Sequence, residues 1–387
     1  MSTATSRADS TPAGAAPETT PATAPAARDP WFDNAKMALV TLVVVGHAWV
    51  LLPESVTRDH LYDFLYAWHV PAFVFVTGYL SRRWTYSRAR MWQLVRTVAV
   101  PYVLFEAAIA LFRIHVGGEE MENLWRDPHW PMWYLSALFF WRLLTPVFKD
   151  LWGGLALAVG ISLVAGLYAG DTLDVARILG LLPFFVMGLK ATPERLELLR
   201  GRAVQVLAVG VFAAIFWLTR RTDEWAATEW LYYRARYEEL DVSDGQAFLT
   251  RACLLVLGTL GAWAFLALVP RIRGWFTTMG AFTLVVYLFH GFVVKGLGYA
   301  GYGDLFGDQQ WLGLLVTTVG SVGVALLLAS PPVARVLKHA VDPLGWGEKK
   351  LDHALEVATA KVEADRLSDR IEEHVEEQVR RVPQSVP

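Results

Sequence analysis

Charge and cysteine are both scarce in this chain. Charged residues are 19% of the 387, against 54% apolar, and the apolar ones come in long blocks. Such blocks have no place in a water-soluble domain, so the composition is that of an integral membrane protein. Basic and acidic residues nearly cancel, 35 against 37. With no continuous basic face to offset a polyanion, nucleic acid is not an expected partner. Cys253 is the only cysteine, which excludes an intramolecular disulfide and a thiolate metal cluster, and no metal is expected. A Walker A sequence, a GxSxG nucleophile elbow and an HExxH helix are also missing, so ATP-driven pumping, serine hydrolysis and metalloproteolysis lack support.

Residues 1–30 hold no apolar run that could serve as a secretory signal, and their Ala, Pro and Thr bias predicts a disordered cytoplasmic tail. The first apolar stretch is then expected to stay as an anchor. Windows long enough to cross a bilayer fall near 35–52, 62–80, 95–116, 131–148, 151–169, 174–190, 203–219, 250–269, 276–296 and 311–330. The expectation is an all-α, polytopic membrane domain of about ten transmembrane helices over residues 31–340. Asp171 to Asp174 leaves little room between the fifth and sixth spans. Seventeen Trp and thirteen Tyr suit two membrane–water interfaces. Trp49, Trp68, Trp130, Trp133, Tyr134, Trp152 and Trp275 fall near span ends.

Basic residues cluster after the second span (Arg82, Arg83, Arg88, Arg90, Arg96), the sixth (Lys190, Arg195, Arg200, Arg202) and the eighth (Arg271, Arg273), all on one side. That side is expected to be cytoplasmic, which puts both termini there, in a multi-pass protein of a bacterial-type plasma membrane. Residues 341–387 carry Leu, Val and Ile at helical spacing among many charges, which predicts a cytoplasmic amphipathic helical tail.

Lys36 and His47 stand eleven residues apart at the start of the first span, so the imidazole lies roughly 16 Å beyond Lys36, within the bilayer. Ionisable groups at such depth are costly and mark function by default. His69, in WHVPAF, and His290, in VYLFH, fall at the same depth, in the outer third of the membrane, while Glu106 in PYVLFE sits nearer the middle. A neutral, partly buried histidine is suited to accept a proton, as O-acyl transfer to an alcohol requires. His47 is the candidate catalytic base, with Glu106 as a carboxylate that could orient it. The arginines of SRRWTYSRAR read either as a topology signal or as a clamp for the phosphates of a coenzyme A thioester. The same buried groups would also serve a proton-coupled transporter or flippase, and the tail could serve a scaffold.

Four stretches, read together, resemble the acyltransferase-3 family of integral-membrane O-acyltransferases. DPWFDNAKMALVTLVVVGH is similar to its first helix with the basic-x10-His pattern, and WHVPAFVFVTGYLSRR to its second helix and basic loop. MWYLSALFFWRLL looks like its Trp-aromatic-Leu segment and VYLFH like its late helix ending in His; the His-x-Pro feature leans toward the fucose 4-O-acetylase-like branch. The resemblance implies transfer of an acyl group, acetyl in the first instance, from cytoplasmic acyl-CoA to a hydroxyl of an extracytoplasmic or lipid-linked carbohydrate. It implies His47 as the essential histidine and Lys36, Arg82 and Arg83 as donor-binding residues. His69, His290, Trp133 and Tyr134 are expected on the substrate side. Lys36 stands where the family often has Arg, and lysine lacks the planar fork of a bidentate clamp. Expected partners are acyl-CoA, a carbohydrate or glycolipid and membrane lipid; a homo-oligomer is left open. The aromatic loop 220–249, with Trp225, Trp230, Tyr232, Tyr233 and Tyr237, could stack on sugar rings.

Overall fold

Asp29 opens the first helix, α1 (Pro30–Trp49): its carboxylate accepts the Trp31 amide at 3.0 Å, and Pro30 sits in the first turn, where a missing amide costs nothing. The structure, a computed structural model, describes residues 29–121, 128–170, 172–240 and 242–381. The tail expected to be disordered lies outside the described residues up to position 28. Every regular element among the described residues is helical. The chain continues through α2 (Val56–Tyr66), α3 (His69–Ser81), α4 (Arg88–Leu94), a π turn (Val95–Ala99), α5 (Val100–His115), α6 (Trp133–Asp150), α7 (Gly154–Tyr168), α8 (Val175–Gly180) and α9 (Leu182–Lys190). After these come α10 (Pro193–Glu197), α11 (Arg202–Thr219), α12 (Thr222–Trp225), α13 (Thr228–Leu231), α14 (Asp244–Leu268), α15 (Trp275–Met279), α16 (Thr283–Tyr299), α17 (Gln310–Ala329), α18 (Pro331–Val341) and α19 (Pro343–Arg381).

Among the described residues, five helical segments are long and apolar enough to cross a membrane: Val56–Ser81, Arg88–His115, Arg202–Thr219, Asp244–Leu268 and Gln310–Ala329. The pair α8 and α9 forms a sixth such stretch bent by 53°. The bend has a local cause, because Pro183 in the first turn of α9 has no amide with which to continue α8. The other four blocks expected to cross also hold helices, but α7 and α16 are shorter, α1 is diluted by Asp33, Asn34, Lys36 and His47, and α6 carries Arg142, Lys149 and Asp150. Pro101 similarly explains the π turn: it cannot bond the Thr97 carbonyl, and the Val100 amide reaches back to Val95 instead.

The core is built around α1 and the face-to-face pair α3 and α9. Gly78 and Gly188 make that pair possible, since a Cβ on Gly78 would stand 2.0 Å from the Phe185 carbonyl oxygen, and one on Gly188 2.0 Å from that of Phe75. Close backbone approach through small residues is how helices associate where lipid removes the hydrophobic drive. Trp141 is fully buried against Phe185 and donates its indole N–H to the Ile178 carbonyl at 3.0 Å. Outward faces are apolar instead: Leu207 and Trp217 of α11 and Leu315 of α17 are each more than 60% exposed. Trp152 and Trp275 are exposed near helix ends. Trp68 departs from the aromatic-belt expectation, lying buried in the core with its ring stacked on Phe265 at 5.5 Å.

The tail forms one 39-residue helix, α19, exposed from Lys349 to Glu377. It is moored near its start, where Glu348 accepts from Trp92 Nε1 at 3.0 Å and Arg96 Nη1 at 2.5 Å, and Asp342 lies 3.5 Å from Arg96 Nε.

Candidate active site

A cavity of about 680 Å³ opens between α1, α2, α3, α6, α8, α16 and the chain after α13. That volume is in the range of small-molecule sites, about 300–1,000 Å³. His47 and His69 line it together with Trp130, Trp133, Tyr134 and Tyr287. Thus His47, His69, Trp133 and Tyr134, named from three separate places in the sequence, meet at one cavity, and His290 stands directly behind His47.

The ring nitrogens define a proton arrangement. His290 Nδ1 faces the carbonyl oxygens of Tyr287 at 2.6 Å and Val286 at 3.1 Å. A carbonyl only accepts, so Nδ1 carries the proton and Nε2 of a neutral His290 holds the lone pair. His47 Nδ1 lies 2.9 Å from that Nε2 and therefore donates to it. What remains on His47 is an Nε2 lone pair, on a residue that lines the cavity. The arrangement repeats the logic of an oriented general base, with a neutral imidazole as the orienting group. His69 follows the same rule: Nδ1 donates to the Leu65 carbonyl at 2.7 Å, which leaves Nε2 as an acceptor.

Trp130 packs its ring 4.4 Å from that of His47. Two residues hold its turn in place. Glu106 Oε1 accepts both the His129 backbone amide, at 2.6 Å, and His129 Nδ1. Tyr287 donates its hydroxyl to the Pro131 carbonyl and accepts the Tyr134 amide at 3.2 Å. The pairing of Glu106 with His47 considered from the sequence is therefore not formed. Glu106 serves the turn that covers the base, and the physical reason is that His129 presents two donors to one buried carboxylate oxygen. Glu106→Ala leaves both donors buried and unpaired, at about 1–3 kcal/mol each. Thermal unfolding in detergent should show that loss. Glu106→Gln keeps the accepting oxygen and should restore most of the stability and activity; a group acting by proton transfer would not be rescued in this way.

Cations and tyrosines complete the wall. The Arg177 guanidinium lies 4.6 Å over the Trp133 ring and 3.9 Å from Asp174, with Nε buried and without a hydrogen-bond partner among the described residues. Arg234 lies 3.6 Å from the same aspartate. Tyr62 and Tyr66 stack at 4.1 Å, and the Tyr232 and Tyr62 hydroxyls are 3.0 Å apart. Lys295 reaches Glu119 at 3.1 Å, where Tyr299 also donates at 2.5 Å and Arg113 Nε at 2.8 Å. Hydrogen bonds from Arg113 above all hold the Glu119 carboxyl down at about 2, from an ordinary 4.5. A folded-state pKa below the unfolded one adds stability that is complete above pH 4.5 and is lost as pH falls from there through about 2. Melting curves of wild type and Glu119→Gln should differ at pH 6 and converge across that acid window.

The expected donor-binding residues lie away from this cavity. Lys36 pairs with Asp33 at 2.8 Å, Arg82 places its guanidinium 3.6 Å over Tyr79, and Arg83 is exposed. Tyr79 in turn stacks on Phe32 at 4.3 Å, which brings Arg82 to the first turn of α1, one turn before Lys36. The aromatic loop divides. Tyr232 lines the cavity, whereas Trp230, Tyr233 and Tyr237 are buried around the Arg251 guanidinium, within 5.0–6.0 Å, and Trp225 bonds the Leu218 carbonyl. The sugar-stacking expectation is thus corrected for Trp230, Tyr233 and Tyr237, which are buried within the protein, while Trp225 stays half-buried. Arg177 and His129 were not singled out from the sequence. Arg177 had a usable signal, a single arginine inside the apolar window 174–190. His129 had none, because it becomes meaningful only through Glu106.

No curated protein and no solved structure gave a significant match to the chain. A family model described as an acyltransferase domain matches residues 29–330, which takes in α1 through α17 and every histidine, tyrosine and arginine of the cavity. With that match over most of its length, and several apolar helices of membrane-crossing length, this chain belongs to the acyltransferase-3 family of membrane acyltransferases.

Proposed function

We propose that the protein transfers an acyl group, acetyl in the first instance, from cytoplasmic acyl-CoA to a hydroxyl of an extracytoplasmic or lipid-linked carbohydrate. The observation that carries this is the His47–His290 pair, whose hydrogen bonds leave one unprotonated imidazole nitrogen on a cavity-lining residue. The acceptor hydroxyl gives its proton to His47 Nε2 as its oxygen bonds to the thioester carbonyl carbon. Positive charge developing on His47 is shared with the His290 lone pair through the 2.9 Å bond. Collapse of the tetrahedral intermediate breaks the carbon–sulfur bond, and the thiolate recovers the proton from His47.

In this proposal the ten apolar blocks all cross the membrane, both termini are cytoplasmic, and the Lys36, Arg82, Arg83 end of the bundle faces the cytoplasm. Those side chains bind the phosphates of the donor, while the pantetheine arm reaches toward Val43, Phe73 and Tyr134 at the near side of the cavity. The rise of α1 between Lys36 and His47, roughly 16 Å, is the distance the arm covers.

Incubation of the purified protein with acetyl-labelled acetyl-CoA and a glycan extract tests the reading. Label should appear on carbohydrate, and transport of a solute without incorporation would refute it. Arg82→Ala with Arg83→Ala should raise the KM for the donor by about tenfold or more and leave kcat nearly unchanged, because phosphate contacts remote from the reacting atoms act equally in ground and transition states.

A further inference from the structure

Three cationic side chains line the cavity, Arg177, Arg234 and Lys295, while the carboxylates they approach, Asp174 (3.9 Å from Arg177 and 3.6 Å from Arg234) and Glu119 (3.1 Å from Lys295), are not among its lining residues. A neutral sugar would leave such a wall poorly used, since hydroxyl groups are matched by mixtures of donors and acceptors and gain little from fixed positive charge. Arg177 is the most constrained of the three. Its guanidinium plane is set against Trp133 at 4.6 Å, its contact with Asp174 is long at 3.9 Å, and its Nε is buried with no hydrogen bond among the described residues. A planar, donor-only fork held in that way suits an anion that accepts two parallel hydrogen bonds. The stacked pair Tyr62 and Tyr66 and the Tyr232 hydroxyl supply an apolar face and a polar edge in the same cavity, the two surfaces a sugar ring presents.

We propose that the acceptor is an anionic carbohydrate. Its carboxylate or phosphate pairs with Arg177, and one of its hydroxyls is thereby placed at His47 Nε2. The placement of the hydroxyl rests on the acyltransferase reading; recognition of the anion does not. Arg177 is thus a binding residue that selects the acceptor.

Two measurements separate these claims. Calorimetric titration of glucuronate, glucose 1-phosphate and glucose into the purified His47→Ala protein reads binding without turnover. At least one anionic sugar should bind about tenfold or more tightly than glucose, as expected for a charge-assisted pair. Arg177→Gln in the same background should erase that preference, while Arg177→Lys, which keeps the charge without the fork, should retain part of it at an unchanged melting temperature. Preference for glucuronate assigns the group as a carboxylate and preference for glucose 1-phosphate as a phosphate; either supports the proposal. If neither anionic sugar outbinds glucose, or if the preference survives Arg177→Gln, the proposal is overturned. Transfer of label from acetyl-CoA by the wild-type protein is followed in parallel. Selective anion binding with no transfer to any carbohydrate sinks the acyltransferase reading alone, and transfer to neutral sugars without anion preference sinks the acceptor proposal alone.

Discussion

Replacing His47 by alanine should lower acyl transfer by about 100- to 10,000-fold, the contribution usual for a positioned general base. The variant should still fold, because among the described residues the imidazole makes one hydrogen bond, to His290, and its removal leaves only an acceptor nitrogen behind. Single-turnover transfer with saturating labelled donor is the appropriate measurement, since it isolates the chemical step. His290→Ala should cost less, as His47 would keep its lone pair but lose the group that fixes its tautomer and shares its charge. Added imidazole entering the vacated space should restore part of the His47→Ala activity. An unchanged rate in the well-folded His47→Ala protein would mean that another group takes the proton, and His69 Nε2 would be the next to test.

The second large effect concerns folding. Alanine at Gly188 or Gly78 should deplete the folded protein, because the added methyl would sit 2.0 Å from a backbone carbonyl oxygen that no rotamer change can move. Overpacking of this kind costs about 1–3 kcal/mol or more, and a backbone contact belongs at the upper end. The yield of monodisperse protein after detergent extraction would show it. The two positions face each other across one interface, so the double variant should lose less than the sum of the single ones. Gly160 and Gly210 have open space where a Cβ would stand, and alanine at either should be tolerated.

The cavity histidines are legible in the sequence because each is an isolated polar group in an apolar window, and helical rise converts its position to a depth. Depth alone brings His47, His69 and His290 to one level. Direction around each helix is not contained in that reading, so it cannot show that His290 stands behind His47 while His69 lines the cavity itself. Glu106 shows the same limit: it lies among the right helices, yet its partner is His129, from a turn between helices whose geometry depends on Tyr287 and Pro131. The ten apolar blocks each contain a helix, but the break at Leu181 and the short α7 depend on Pro183 and on the crowded turn near Asp174, where Leu173 and Asp174 adopt φ of 54° and 55°. Aromatic composition was the least discriminating signal. Trp68, Trp130 and Trp152 look alike in a string, yet one is core, one roofs the base and one meets the surroundings.

Tyr287 and His290 share a turn of α16, the first latching the strip of chain that carries Trp130, the second steadying His47. A twist of that helix sufficient to free the latch would also withdraw the steadying nitrogen. The roof over the base and the tautomer of the base thus answer to the same few residues, and neither is rebuilt without the other.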